Sequence, residues 1–549
     1  MKYIISIFIA IFSFQTWALP TLIHNVKGYS INDGELVEFD AILFEDDSII
    51  DIGSREELAK MVSFSINIDG KGQTLLPGLI DSHGHVLGLG NNLQQIDLRN
   101  IESLDESLDV INNYAKAHPK KRWLTGRGWN QVLWTPQEFP HRKDLDEINK
   151  ERPIWLRRID GHAGWANSKA LELAGITSKT RDPQGGKIIK DKNGKPTGIL
   201  IDTAMDILEA KIPEQNADEI ETALDMAFEH LVQLGITSVH DAGIDFATYK
   251  SILKMAEKKQ VPIRLYAMLA GSDEHLSSML ELGKVNDEFL KIQSVKLYTD
   301  GALGSRGAAL LEPYSDDSDN TGLLFHSNKE LMSQIELINS YDFQINVHAI
   351  GDKGNRQVLD SFESLHNKSS IKNSRHRIEH AQVVALEDIP RFKELSIIAS
   401  MQPTHATSDM NMAQDRVGSE RIKGAYAWRT MLDNGVLIAS GSDFPVELAN
   451  PFHGLFSAVK RQNHDNQPKD GWYSNQALTM QEALASFTIN GAYASFWEDK
   501  IGSLEKGKKA DFILVDEDIF KEDNSDIWDI KVSQTWINGV QVYKAEAAK

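Results

Sequence analysis

The sequence predicts an α/β protein: a (β/α)8 barrel carrying a small composite β-sandwich made from both chain ends, with an insert after the first barrel strand. Three features lead there. Eight short apolar runs recur along the chain, each ending in polar residues, and most leave room for a helix before the next. Both ends alternate apolar and polar residues in short bursts divided by turn residues, as half-buried strands do. Residues 91–215 keep to neither rhythm. An open doubly wound sheet is the rival, but it calls for a glycine-rich phosphate loop after an early strand, and none stands there.

Taken in order, residues 1–18 read as a secretory signal peptide. Lys2 is a minimal basic start, Tyr3–Phe14 is an apolar run short for a bilayer, and Ala18 is a small residue at the cleavage point. An uncleaved N-terminal anchor is the alternative. The expected location is therefore periplasmic or secreted. No later run reaches about 18 apolar residues, so the mature chain is expected to leave the membrane. There is no cysteine, which excludes disulfides, thiolate ligands and a cysteine-linked lipid. The net charge of −21 argues against nucleic acid and anionic membrane surfaces as partners and fits a solvated surface. A small-molecule substrate is the expected partner, and a homodimer is the expectation on frequency alone.

Residues 19–73 hold the first half of the β-sandwich, with turns at Asn32-Asp33-Gly34 and Asp69-Gly70, and residues 498–549 hold the second, with an Asn-Gly turn at Asn538-Gly539. The first barrel strand falls in 74–90, within TLLPGLIDSHGHV. The 91–215 insert contains WLTGRGWNQVLW, DGHAGWANSKAL and a hairpin-like GGKIIKDKNGKPTG, and serves either as a lid or pocket wall or as a structural element. The barrel resumes over 216–497. Ile220, Leu224, Ala227, Phe228 and Leu231 mark a helix that Gly235 stops. Strands then follow at 235–243, 262–269, 294–301, 343–351, 375–382, 395–403 and 435–443.

Barrel active sites lie at strand C-termini. His83 and His85 stand there on the first strand, two residues apart and so on one face. Lys296 stands on the fourth, His348 on the fifth, His380 on the sixth and Asp443 on the eighth. Neutral imidazole suits zinc, manganese or iron. A lysine within SVKLY is unusual, because a buried ammonium is costly. Carboxylation of its amine would give a bridging carbamate; a Schiff base or an ion pair with Asp300 are the alternatives. Such a set can hold two divalent ions about 3.5–4 Å apart. His83, His85 and Asp443 would take the more buried ion, His348 and His380 the more exposed one, and Lys296 would bridge. Zinc is the expected metal, as one or two ions.

The motifs LLPGLIDSHGHV, VKLYTDGALGSRGAAL, NVHAIGD, RHRIEHAQ, SMQPTHATSD and ASGSDFPVE resemble those of the amidohydrolase superfamily. The likeness covers essentially the whole mature chain and points to the family-3 branch that includes N-substituted formamide deformylases. It implies a metal-dependent barrel hydrolysing an amide, formamide or cyclic amide, and the ligand roles above match residue by residue. Ester hydrolysis, deamination, or a non-catalytic binding protein remain alternatives on the same scaffold. Asp443 is expected to act as general base and then acid. Arg306, His405, and from the insert His162, Trp129 and Asn130, are candidates to shape the substrate pocket or to support it structurally; His240-Asp241 is a weaker candidate of the same kind.

Overall fold

The computed structural model describes residues 19–546 apart from positions 64, 100, 159–161, 184, 369–370 and 522–525. The expected signal peptide lies outside the described residues. Among them, no helix is long and apolar enough to cross a membrane. The chain divides into two compact units, Met1–Gly88 with Leu224–Lys549, and Leu89–Ala223.

The first unit contains eight parallel strands that pair in chain order: β1 (Leu79–Gly84), β2 (Ile236–Ile244), β3 (Arg264–Ala270), β4 (Leu290–Tyr298), β5 (Gln344–Ala349), β6 (Arg377–His380), β7 (Ile398–Met401) and β8 (Ile438–Ser440). Each overlaps an apolar run anticipated from the sequence, and β2, β3 and β4 extend beyond theirs by one to four residues. Helices between them bury one stripe. Asn328–Ser340, for example, starts on a Ser327/Glu330 capping box and turns Leu331, Ile335 and Ile338 inward. β8 and β1 share no ladder. They are joined beyond their paired residues, where Asp443 N–H donates to His83 O and His85 N–H to Phe444 O, both at 2.7 Å. Asp81 adds to this seam by accepting from Ser442 Oγ at 2.6 Å. Gly441 permits the approach, since a Cβ there would meet His83 N at 2.5 Å.

The run TLLPGLIDSHGHV does not form one strand. Thr74–Pro77 pairs antiparallel with Phe512–Val515 in a separate sheet, and only Leu79–Gly84 enters the barrel. The chain crosses between them at Gly78, where a Cβ would meet the Thr237 side chain at 2.2 Å. Both halves are fully buried, so hydrophobic period cannot separate them.

That separate sheet has eight strands and draws on both chain ends. Its order is Val540–Lys544, Val532–Ile537, Phe512–Val515, Thr74–Pro77, Thr21–Asn32, Glu35–Glu45 and Ser48–Gly53, with Ile66–Asp69 on Thr21–Asn32. It is mixed, because Ile66–Asp69 and Thr74–Pro77 run parallel to Thr21–Asn32. Phe44 and Trp536 stand far apart in this order, yet their rings lie 5.8 Å apart, with Phe512 between strands and 5.6 Å from Phe44. The sheet therefore curls over a shared aromatic core. Asn538 and Gly539 take positive φ (49° and 70°), the conformation of a two-residue hairpin turn. Arg264 at the start of β3 fastens this sheet to the barrel, its Nε 2.8 Å from Asp511 Oδ2 with both groups buried.

The second unit covers the expected insert. Its six-stranded sheet runs Gly186–Lys190, Pro196–Asp202, Ala163–Ala166, Ile154–Arg158, Leu124–Trp129, Ile96–Asp97, and its first two strands are the anticipated hairpin. Trp129, Trp134 and Trp165 pack with Ile111, Leu145 and Leu156 as this unit's own core.

Candidate metal centre

The side chains that the sequence placed at strand ends converge at the C-terminal mouth of the barrel. One nitrogen each of His83 and His380 and one oxygen of Asp443 lie within 4.8 Å of one another, all buried. His83 Nε2 is 3.6 Å and His85 Nε2 3.2 Å from Asp443 Oδ1. The His348 ring centroid is 4.6 Å from that of His380. Lys296 Nζ is 3.3 Å from His83 Nε2 and is 1% exposed as a residue. The His380 ring lies near members of both expected subsets, 4.6 Å from the His348 ring and 4.8 Å from that of His83.

Two of these residues, His380 and Asp443, reach the site through unusual backbone. Along β6, Arg377 and Glu379 share one face, so regular alternation would send His380 to the other. His380 instead has φ 74° and Ala381 φ 43°. This left-handed step redirects the imidazole to the mouth. Asp443, just past β8, has φ 59°. Non-glycine residues rarely hold such angles, and they cluster where geometry serves a site.

Burial governs the electrostatics. It pushes the imidazoles of His83 and His380 down, with the charge of Lys296 adding to the effect on His83 and that of His348 to the effect on His380. His348 falls to about 3, again mainly through burial and then Lys296. All three are neutral near pH 7, each with a lone pair to offer. Burial also lowers the Lys296 amine, against the opposing pull of Glu379 and Asp443. Burial works against a charge on Asp443, but the His85 hydrogen bond and the neighbouring histidines hold its carboxyl well below the usual range.

These groups suit a divalent cation. Buried His348 Nε2 and His405 Nε2 have no hydrogen-bond partner among the described residues, with Asp300 Oδ1 3.5 Å from the former. In a tetrahedral zinc site with bonds of 2.0–2.2 Å, neighbouring ligand atoms stand about 3.4 Å apart. The separations of Asp443 Oδ1 from His83 Nε2 and His85 Nε2 bracket that value. Imidazole nitrogens and a carboxylate oxygen so spaced form a donor set that fits a divalent metal.

Two residues absent from the sequence reading complete the surroundings. Glu379, fully buried on β6, places Oε2 2.5 Å from His83 Nδ1. Gln402 Oε1 lies 2.8 Å from His380 Nδ1 and its Nε2 donates to Ser400 O, which fixes the amide's orientation. A signal for Glu379 was present: a carboxylate inside the strand-length run RHRIEHAQ. Gln402 in SMQPTH gave none beyond its place at a strand end. Glu379 is held at about 2, since His83, Arg377 and Lys296 together outweigh the effect of burial.

The other candidates have the following places. His405 Nε2 is 3.6 Å from Asp443 Oδ2, with its ring 5.9 Å from that of His380. Arg306 pairs with Asp316 at 3.0 Å. Asp300 accepts the backbone N–H groups of Ala309, Ile350 and Gly351, and forms no ion pair with Lys296. His240 Nδ1 accepts from Arg377 at 3.0 Å, and Asp241 accepts Val86 N–H. Within the second unit, Trp129 is fully buried and its Nε1–H donates to Leu156 O. Asn130 Oδ1 accepts from Val132 N–H and Arg158, and the exposed His162 has its Nδ1 2.8 Å from Asp202 Oδ1.

A family model described as "Amidohydrolase family" matches residues 67–543. Protein LONG AFTER FAR-RED 3 of Arabidopsis thaliana is 34% identical over 530 residues, which cover 93% of this chain and 90% of that protein. The N-substituted formamide deformylase of Arthrobacter pascens is 27% identical over 523 residues, covering 92% and 95%. Among solved structures, an uncharacterized metal-dependent hydrolase from Pyrococcus furiosus superposes with a TM-score of 0.77 at 28% identity, covering 91% of this chain and all of that one.

Proposed function

This chain belongs to the amidohydrolase family, and from that premise we propose that it is an exported, metal-dependent hydrolase that cleaves a C–N bond in an amide, formamide or cyclic amide. The observation carrying this reading is the convergence of His83, His380 and Asp443, within 4.8 Å of one another at the barrel mouth. His85, His348 and Lys296 complete the set of residues that would hold the ion or ions, with zinc the best match to an imidazole-rich site. A divalent ion held there would supply Lewis acidity, lowering the pKa of water at the site towards neutrality. Asp443 takes the proton given up by the attacking water and returns it to the leaving nitrogen, acting at a carboxylate oxygen first as base and then as acid. His405, with a buried Nε2 beside Asp443 Oδ2, orients the substrate carbonyl. The deformylase activity named for the Arthrobacter pascens relative makes N-substituted formamides the first substrates to try.

The test is Asp443→Asn on a panel of formamides, amides and cyclic amides. General acid–base catalysis contributes about 10²–10⁴-fold, so turnover should fall by that factor while the fold, followed by a thermal melt, persists. Near-normal turnover in the variant would remove Asp443 from the reaction. Export is tested by N-terminal sequencing of the protein recovered outside the cytoplasm, with a start after Ala18 as the expected result.

A further inference from the structure

The buried contact between Glu379 and His83 has a role that the metal ligands alone do not require. Both side chains are fully buried, and Glu379 Oε2 sits 2.5 Å from His83 Nδ1. An ionised carboxylate can only accept, so the proton between the two groups belongs to Nδ1. Nε2 of the same ring then carries the lone pair, and this is the nitrogen that faces Asp443 Oδ1 and Lys296. We propose that Glu379 is a positioning residue: it dictates which nitrogen of His83 faces the metal, fixes the ring's rotation, and makes that nitrogen a stronger donor.

The choice of residue type matters. A glutamine could turn either its oxygen or its NH2 group towards Nδ1, whereas glutamate removes that freedom. The strand supports the arrangement. Glu379 pairs across the ladder with His348 on one side and Ser400 on the other, so its backbone is held between two strands that carry site residues. Arg377, two residues earlier on the same face, is itself anchored by hydrogen bonds to His240 and to Ala494 O. The neighbouring ligand shows the same device in weaker form, with the neutral amide of Gln402 at His380 Nδ1. Outer partners of this kind commonly change metal affinity by about 10–100-fold.

This inference rests on the metal-dependent reading above, and the experiment separates the two. Zinc affinity of the full-length mature protein is measured by chelator competition for wild type, Glu379→Gln, Glu379→Leu and Glu379→Ala. The visible absorption spectrum of each cobalt-substituted form is recorded alongside. Leucine keeps the volume without an acceptor, so it carries the test if the alanine variant does not fold. The expected result is a 10–100-fold weaker zinc affinity and an altered cobalt spectrum in Glu379→Leu or Glu379→Ala, with most of both restored in Glu379→Gln, whose amide oxygen can still accept from Nδ1–H. Wild-type affinity and spectrum in the leucine variant would overturn the proposal, as would equal weakness of the glutamine and leucine variants. Wild type that binds no zinc would instead overturn the metal-dependent reading itself.

Discussion

Replacing His83 should damage the fold far more than replacing His85, even with no metal in either protein. His83→Ala leaves Glu379 ionised, buried and without its 2.5 Å partner, on a strand in the middle of the barrel. Removing one member of a buried charge-assisted pair costs about 3–5 kcal/mol, because the remaining charge has neither partner nor water. Arg377 and Lys296 nearby offset a part of this, so about 3 kcal/mol is the working figure. The His85 side chain is 32% exposed and contacts Asp443 Oδ1 at 3.2 Å. Solvent screens that contact, and its loss should cost under about 1 kcal/mol. The assay is urea unfolding of the chelator-treated proteins, with midpoints compared at equal slope. A double variant sharpens it. Once His83 is alanine, Glu379→Leu removes the stranded charge and should recover about 2 kcal/mol, a coupling of the size seen between contacting residues. Equal destabilisation by His83→Ala and His85→Ala, or additivity in the double variant, would refute the reasoning.

Further outcomes follow from other parts of the molecule. His376 is buried against Phe362, accepts Ile345 N–H at Nδ1, and is pushed down to about 3, mainly by burial. Its folded pKa lies below the unfolded value of 6.5, so the unfolded chain binds the extra proton first. Its contribution is therefore intact above pH 6.5 and is lost at up to about 1.4 kcal/mol per pH unit as pH falls from 6.5 towards 3. His376→Gln should flatten the acid limb of a stability–pH curve, and an unchanged limb would exclude His376 as its source. Trp129→Ala should destabilise the second unit by about 3–5 kcal/mol, as truncation of a fully buried indole does, and expose 89–223 to limited proteolysis before the barrel. Simultaneous digestion of both units would contradict that.

Much of this architecture was legible in the sequence because barrel strands are short, buried and punctuated. The seven strand segments anticipated after the insert, from GITSVHDAG to GVLIASGSD, each overlap one strand of the barrel. The side chains that converge at the barrel mouth stood out for a related reason: each is a histidine, lysine or aspartate at or near the end of an apolar run. What escaped depended on geometry that residue type does not encode. Glu379 looked like an ordinary strand residue because its importance lies in a partner, His83, nearly three hundred positions away. The placement of His380 beside His83 needed a left-handed backbone step that no residue in RHRIEHAQ demands. The division of TLLPGLIDSHGHV between two sheets was hidden because both halves are equally apolar and buried. Trp129, a candidate for the pocket wall or for structural support, packs against Trp134 and Trp165 in the core of the second unit, a placement set by contacts that residue type does not encode.

The most direct measurement is the metal content per chain of the purified protein, by elemental analysis, for wild type and Lys296→Ala, each prepared with and without bicarbonate. Wild type should hold one or two zinc ions, removed by a chelator together with activity. A content near two that falls in Lys296→Ala or without bicarbonate would assign a carboxylated, bridging Lys296, and a content near one that ignores both would place Lys296 outside the ligand set. A folded wild-type protein that holds no divalent metal under any of these conditions, yet hydrolyses its substrate at full rate, would contradict the account at its centre.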